Sequence, residues 1–247
     1  MTNCIAIIPA RYDSTRLPAK VLADIDGMTM LERVYRQVQK TNEIDRIIIA
    51  TDDPRIESHA KGFGAEVEMT FKSHNTGTER CAQVARNFWQ GDVILNVQAD
   101  EPFIDPSVID LLARKMKEDD WMQISSLKTV IKSEVDWMDE NVVKVVCNRV
   151  GKALYFSRGT IPFVPSHNDF SADYFKHLGI YGFRNKTLQE IVSLEKSPLE
   201  KAELLEQLRW MENGYQIHMF NVTSETISID NAADLEKAIR YAEKLHN

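Results

Sequence analysis

Within ten residues near the start of this 247-residue chain stand three cations, Arg11, Arg16 and Lys20, in the run Pro9-Ala10-Arg11-Tyr12-Asp13-Ser14-Thr15-Arg16-Leu17-Pro18-Ala19-Lys20. Two guanidinium forks and one ammonium suit a triphosphate: they grip its oxygens and draw charge from a pyrophosphate leaving group. The competing interpretation is a solvated loop with three unrelated surface cations. Neither G-x-G-x-x-G nor G-x-x-x-x-G-K-[ST] occurs, which disfavours a dinucleotide fingerprint and a P-loop and leaves phosphate binding to side-chain charge.

Gln98-Ala99-Asp100-Glu101-Pro102 carries two adjacent carboxylates directly after an apolar run. Mg²⁺ takes a few carboxylate oxygens together with water and substrate phosphate, and Asp100 is the better ligand candidate of the two. The same acids could instead favour the start of a helix near Pro106 through its dipole. Ile229-Asp230-Asn231 offers a further carboxylate that, taken alone, is a helix cap or turn. His74-Asn75-Thr76-Gly77-Thr78-Glu79-Arg80 opens a helix, where free amides can meet an anion or a base. Thr76-x-x-Glu79 is equally a capping box, and both roles are compatible.

These groups need a scaffold. Cys4 to Ala10, Arg46 to Ala50 and Val93 to Val97 are short runs apolar on both faces, as buried strands of a parallel sheet are. Helical patterns lie between them at Met30 to Lys40, Pro54 to Lys61 and Thr78 to Trp89, with another at Pro106 to Lys117. The alternation predicts an α/β fold, a doubly wound, mostly parallel sheet in which ligands bind beyond the carboxyl ends of the strands. Past residue 120 the expected strands become mixed or antiparallel: Ile124 to Ile131, Val142 to Cys147, Ala153 to Ser157, His177 to Phe183 and Tyr215 to Val222. A long helix is expected at Pro198 to Glu212, a final one at Ala232 to Leu245, and a mobile loop at Thr160 to Asp173. The whole, 1–247, is expected as one domain: a nucleotide-binding half (1–120), a mixed-strand part (121–230) and a C-terminal helix (231–247).

Hydrophobic residues make up 43% and charged residues 27%, enough for a sizeable core. The net charge of −7 argues against nucleic acid, which needs a broad basic surface. No run of about 18 apolar residues and no signal-peptide pattern occurs, so no membrane partner and a cytoplasmic location are expected. Cys4, Cys81 and Cys147 are far apart and set in apolar sequence, the pattern of buried reduced thiols and not of zinc or disulfides.

Taken together, IIPARYDSTRLPAK (Ile7 to Lys20), ATDD (Ala50 to Asp53), HNTGTER (His74 to Arg80), NVQADEP (Asn96 to Pro102), VKVV (Val143 to Val146), ALYFSR (Ala153 to Arg158), KHLGIYGFR (Lys176 to Arg184), SPLEKAELLEQLRWMENG (Ser197 to Gly214) and IDNAADLE (Ile229 to Glu236) resemble the 3-deoxy-manno-octulosonate (KDO) cytidylyltransferases across nearly the whole chain. The resemblance implies a sugar nucleotidyltransferase fold and transfer of the cytidylyl group of CTP to KDO, giving CMP-KDO and pyrophosphate for lipopolysaccharide synthesis. It further implies Mg²⁺ on Asp100 and Asp230, and Arg11 and Lys20 on the triphosphate. Pro9, Ala10, Thr76, Gly77, Thr78, Arg80 and Gln98 would frame the cytidine. Arg158, His177, Tyr181, Glu206 and Gln207 would line the sugar pocket, and a homodimer would form through the mixed-strand region. Without the resemblance, Glu206 and Gln207 are the polar edge of an amphipathic helix and His177 a structural histidine.

The sequence departs from the family pattern at Ala19 and Ala99, where glycines are expected. Either methyl is strained if its backbone needs a positive φ. Ser73, Thr76 and the IDNAADLE run also differ from the usual residues. A related acidic or amino sugar is therefore the alternative acceptor, and a nucleotide-binding protein without turnover is the rival from outside the enzymes.

Overall fold

The computed structural model describes residues 2–13, 17–163, 173–223 and 227–245. Arg16 and most of the loop expected at Thr160 to Asp173 lie outside these residues. In chain order the elements are β1 (Cys4–Ala10), a 3₁₀ turn (Lys20–Leu22), β2 (Asp24–Ile25), β3 (Met28–Thr29), α1 (Met30–Val38), β4 (Arg46–Thr51), α2 (Pro54–Gly62), β5 (Glu66–Met69), α3 (Gly77–Ala85), β6 (Val93–Asn96), α4 (Pro106–Glu118), β7 (Ile124–Val130), α5 (Glu134–Met138), β8 (Lys144–Cys147), β9 (Ala153–Ser157), β10 (Phe175–Arg184), α6 (Asn185–Ile191), α7 (Pro198–Glu203), α8 (Glu206–Glu212), β11 (Ile217–Asn221) and α9 (Ala232–Leu245).

The main sheet runs β11-β7-β10-β6-β1-β4-β5, with β8 on β10 and β9 on β8. β1 is parallel to both β4 and β6, and β4 to β5. β10 is antiparallel to β6 and β7, and β11 returns parallel to β7. The chain moves from β1 outward through β4 and β5, then crosses back to place β6 on the other side of β1. The β1/β6 boundary is therefore the switch point, where a crevice opens beyond the strand ends.

The apolar runs work as the alternation of strand side chains dictates. Cys4, Ala6 and Ile8 enter one core with Val34, Ile109 and Leu112, while Ile5 and Ile7 enter the core on the opposite face with Ala82, Leu188 and Trp210. Both faces of the sheet are thus covered, as a parallel sheet requires. A third cluster joins Ile25 and Met30 to Ile229, Ala238 and Ala242. It clamps α9 onto the β2–β3 hairpin and so brings the end of the chain back to its beginning.

The expected long helix at Pro198 to Glu212 is two helices. Leu204 takes a left-handed conformation, φ 55°, and Leu205 is extended. The break turns α8 so that Gln207, Leu208, Arg209 and Trp210 are all buried. The β2–β3 hairpin, β5, α5 and α6 are additional to the expected elements. Among the described residues no helix is long and apolar enough to cross a membrane.

Candidate active site

A cavity of about 370 Å³ opens at the carboxyl ends of β1 and β6, lined by Pro9, Ala10, Arg11, Lys20, Val21, His74, Asn75, Thr76, Gly77, Arg80, Gln98, Ala99, Asp100 and Asp230. Its parts come from four places in the chain, each held by a local device. The N-terminal loop folds back on itself, with Ala19 N–H donating to the Tyr12 carbonyl at 3.1 Å and Lys20 N–H to that of Leu17 at 3.2 Å. Ala19 sits at φ 55°, the left-handed region that glycine enters more freely, whereas Ala99 does not. The strain expected of an alanine at these two positions thus falls on Ala19 alone.

That turn aims Lys20 across the cavity mouth. Its Nζ lies 2.8 Å from Asp100 Oδ2 and 3.5 Å from Asp230 Oδ1, and donates to the Ile229 carbonyl at 2.9 Å. Ile229 N–H in turn donates to the Asp100 carbonyl at 3.0 Å. Residues 130 positions apart therefore present two carboxylate oxygens to one cationic point, and the buried Ile229 anchors the arrangement in the third hydrophobic cluster. Asp230, a helix cap or turn by sequence alone, is a member of the site.

The opposite wall is the start of α3. Thr76 caps it, accepting from Glu79 N–H at 3.1 Å, while Glu79 Oε2 accepts from Asn75 N–H at 2.7 Å. Gly77 permits close contact with β1, since a Cβ there would stand 3.1 Å from Pro9 Cγ. Arg80 is buried; it donates to Thr70 Oγ1 and pairs with Asp52 Oδ2 at 3.3 Å, so the ATDD run holds a cation at the cavity edge. Gln98 is oriented by its bond to Asn96 Oδ1 at 2.9 Å.

The five residues assigned to a sugar pocket do not line this cavity, nor does Thr78. Thr76 and Thr78 donate their hydroxyls to Glu206 Oε1 and Oε2 at 3.1 and 2.8 Å. Burial pushes the Glu206 carboxyl upward, against the hydrogen bond from Thr78 and the charge of Arg209. Gln207 is buried beside it on α8. Tyr181 and His177 form an aromatic layer with Phe156, Phe183 and Trp210. Tyr181 Oη is buried with no hydrogen-bond partner among the described residues. His177 Nε2 is 2.9 Å from Ser126 Oγ, and burial pushes its pKa down to about 3, so the ring is neutral. Arg158 spends its guanidinium on the carbonyls of Glu203 and Glu140, at 2.9 and 3.0 Å.

Two further residues stand out in this region: Glu101, by sequence the weaker ligand candidate beside Asp100, and Arg209, which had no assignment of its own. Glu101 is buried, with Oε2 unpartnered among the described residues; burial, then the neighbouring Asp100, push its pKa up to about 8. Arg209 is buried against Glu206, and its only sequence signal is the i, i+3 spacing of the two on a helix.

The family model described as cytidylyltransferase matches residues 5–226. A 3-deoxy-manno-octulosonate cytidylyltransferase of Parabacteroides distasonis is 43% identical over 255 residues, covering 98% of each chain. That of Geotalea daltonii is 44% identical, covering 95% of this chain and 96% of its own. A solved structure of CMP:2-keto-3-deoxy-manno-octonic acid synthetase complexed with CTP superposes with a TM-score of 0.93 at 38% identity, over 99% of this chain and 100% of its own. The 4-diphosphocytidyl-2C-methyl-D-erythritol synthase of Anaerococcus prevotii, at 15% identity and a TM-score of 0.65, shares the fold, over 98% of this chain and 96% of its own.

Proposed function

The chain belongs to the 3-deoxy-manno-octulosonate cytidylyltransferase family, and from that premise we propose that it transfers the cytidylyl group of CTP to the anomeric hydroxyl of KDO, releasing pyrophosphate. The observation that carries this reading is the convergence of Asp100 and Asp230 on one cationic point, in a cavity whose other walls supply Arg11 and the start of α3. Relatives that share 43–44% of their residues over nearly their whole length carry the KDO name, and so favour KDO over an amino-sugar analogue.

In the reaction the acceptor hydroxyl gives up its proton to solvent as its oxygen attacks the α-phosphorus, a new P–O bond forms, and the bond to the bridging oxygen of pyrophosphate breaks. Arg11 and Lys20 oppose the charge that gathers on the leaving group. Pro9, Ala10, Gln98 and the Thr76–Arg80 turn shape the space for the nucleoside. No covalent enzyme intermediate is needed, because the acceptor oxygen displaces pyrophosphate from the α-phosphorus directly.

Mg²⁺ is the proposed cofactor, and the residues fit it. Two carboxylates already converge on an ammonium, and among the described residues no third His, Cys, Asp or Glu joins them. A hard cation held by Asp100 and Asp230 would complete its shell with water and phosphate oxygens. When bound it supplies charge for the phosphoryl oxygens and lowers the pKa of the attacking hydroxyl.

The product serves lipopolysaccharide synthesis in this reading, and the enzyme acts in the cytoplasm as a homodimer. Val150 and Leu154, exposed apolar side chains on the β8–β9 hairpin, are in keeping with the dimer. Pyrophosphate release with Mg²⁺, KDO and each of the four ribonucleoside triphosphates tests the function. Release with CTP and KDO alone is expected, lost in Asp100→Ala and Asp230→Ala; no release with any pair sinks the reading.

A further inference from the structure

Thr76 and Thr78 open the helix that walls the nucleotide side of the cavity, and Glu206 opens the helix assigned to the acceptor side. The three are joined by paired hydrogen bonds that use both oxygens of one carboxylate. Glu206 is therefore engaged before any substrate arrives. Its position is set by Arg209, one turn along α8, whose Nη2 donates to Glu206 Oε1 at 2.7 Å. Arg209 is itself held from two directions: Nη1 donates to the Leu194 carbonyl at 2.9 Å, and Nε, with no hydrogen-bond partner among the described residues, forms an ion pair with Glu200 Oε2 at 3.5 Å. Glu200 is in turn fixed by the capping box of α7, where its carboxylate accepts from Ser197 N–H at 3.3 Å. The left-handed break at Leu204 is what turns α8 so that Glu206 and Arg209 face α3 together.

Resting on the proposed transfer reaction, we propose that Arg209 is a positioning residue for the nucleotide: acting through Glu206, it fixes the Thr76–Thr78 turn and so couples the CTP wall of the cavity to the helix on the acceptor side. Arg209 touches neither the cavity nor the reacting atoms. A buried guanidinium with bonds to a carbonyl and a carboxylate holds its partner to one geometry, which a lysine reproduces in charge and only in part in direction.

The test is CTP affinity measured by calorimetry without acceptor, beside KM for each substrate, kcat and the melting temperature, in Arg209→Met, Arg209→Lys, Thr78→Val and Arg209→Met/Thr78→Val. Arg209→Met should weaken CTP binding about tenfold, the effect of one charge-assisted hydrogen bond, and raise the KM for CTP with a smaller change in kcat. Arg209→Lys should recover much of the loss, and the double variant should bind CTP no worse than the worse single one. If Arg209→Met does not fold, Arg209→Lys, Thr78→Val and their combination make the same comparison with the charge kept and the direction of the bond to Glu206 altered. Additive losses, or a lower melting temperature with unchanged CTP affinity, overturn the proposal. Because the binding readout needs no acceptor, a parent enzyme inert toward KDO would refute the transfer reading while leaving the positioning result separately readable.

Discussion

The Lys20 ammonium stands 2.8 Å from Asp100 Oδ2 at the point where the side chain of Asp230 also arrives. One protein cation thus occupies the place where two carboxylates would hold a metal, and it keeps them from repelling one another. Binding of CTP and Mg²⁺ would free the ammonium to meet phosphate. Lys20→Met should then lower kcat/KM by about 10²-fold or more, as loss of a transition-state donor does. In calorimetry without nucleotide the same variant should bind Mg²⁺ at least as tightly as the parent, since the competing cation is gone. Weaker Mg²⁺ binding would mean that Lys20 only organises the carboxylates.

Ala19 and Ala99 are the same chemical departure from the family pattern in two backbone settings. Ala19 is left-handed at φ 55°; Ala99 is not, and is 6% exposed. Left-handed backbone costs a non-glycine residue about 1–2 kcal/mol, partly offset by the greater freedom of glycine in the unfolded chain. Ala19→Gly should therefore stabilise by about 0.5–1 kcal/mol, a melting-temperature gain of roughly 2 °C for a chain of this size. Ala99→Gly should lower the melting temperature, because it only adds freedom and removes a buried methyl. Equal shifts from both would refute the assignment of strain.

Much of the architecture was legible because β1, β4 and β6 are apolar on both faces, which only a doubly covered sheet explains. Position then turned Asp100 from a helix-dipole acid into a site residue. Other features carried weaker signals. The hairpin at Asp26-Gly27, both with positive φ, matches a two-residue hairpin turn that the sequence spells out as Asp-Gly, yet its strands are two residues each and show no alternation. β5, Glu-Val-Glu-Met, is a half-polar edge strand with no apolar run. The break at Leu204 has neither glycine nor proline to announce it: tertiary packing of Leu208, Arg209 and Trp210 outweighs local helix preference there. The role of Asp230 depends on a contact spanning 130 residues, which no local pattern encodes and only family resemblance supplied.

His177 gives the fold an acid-sensitive element. Its ring packs between Phe156 and Tyr181 beside Ser126, and burial pushes its pKa from 6.5 down to about 3. Above pH 6.5 the imidazole is neutral in both folded and unfolded chains and adds no pH dependence. Below it the unfolded chain takes up the proton first, so stability is lost as pH falls from about 6.5 toward 3. At pH 5 the loss amounts to about 2 kcal/mol relative to pH 7. Urea denaturation of the parent and His177→Gln at both pH values should show their stability difference shifting by about that amount in favour of the variant at pH 5. A difference that does not change with pH would place the ring in contact with water.

Gly77 ties the nucleotide wall to the sheet. A Cβ there would meet Pro9 Cγ at 3.1 Å, tighter than ordinary contact, and Pro9 Cβ at an ordinary 3.5 Å. The backbone of Pro9 is held by its pairing with β4, so in Gly77→Ala the contact is relieved by a shift of a few tenths of an ångström shared between the pucker of the proline ring and the N-terminus of α3. That movement carries Thr76 and the cavity wall with it. Alanine is also the better helix former, by about 1 kcal/mol in a helix interior and by less at the first helical position that Gly77 holds, which offsets part of the local crowding. The expected result is a KM for CTP raised several-fold with a melting temperature close to the parent's. An unchanged KM would show that the α3 terminus does not set the nucleotide site, whereas a large drop in melting temperature would show that the crowding spreads into β1.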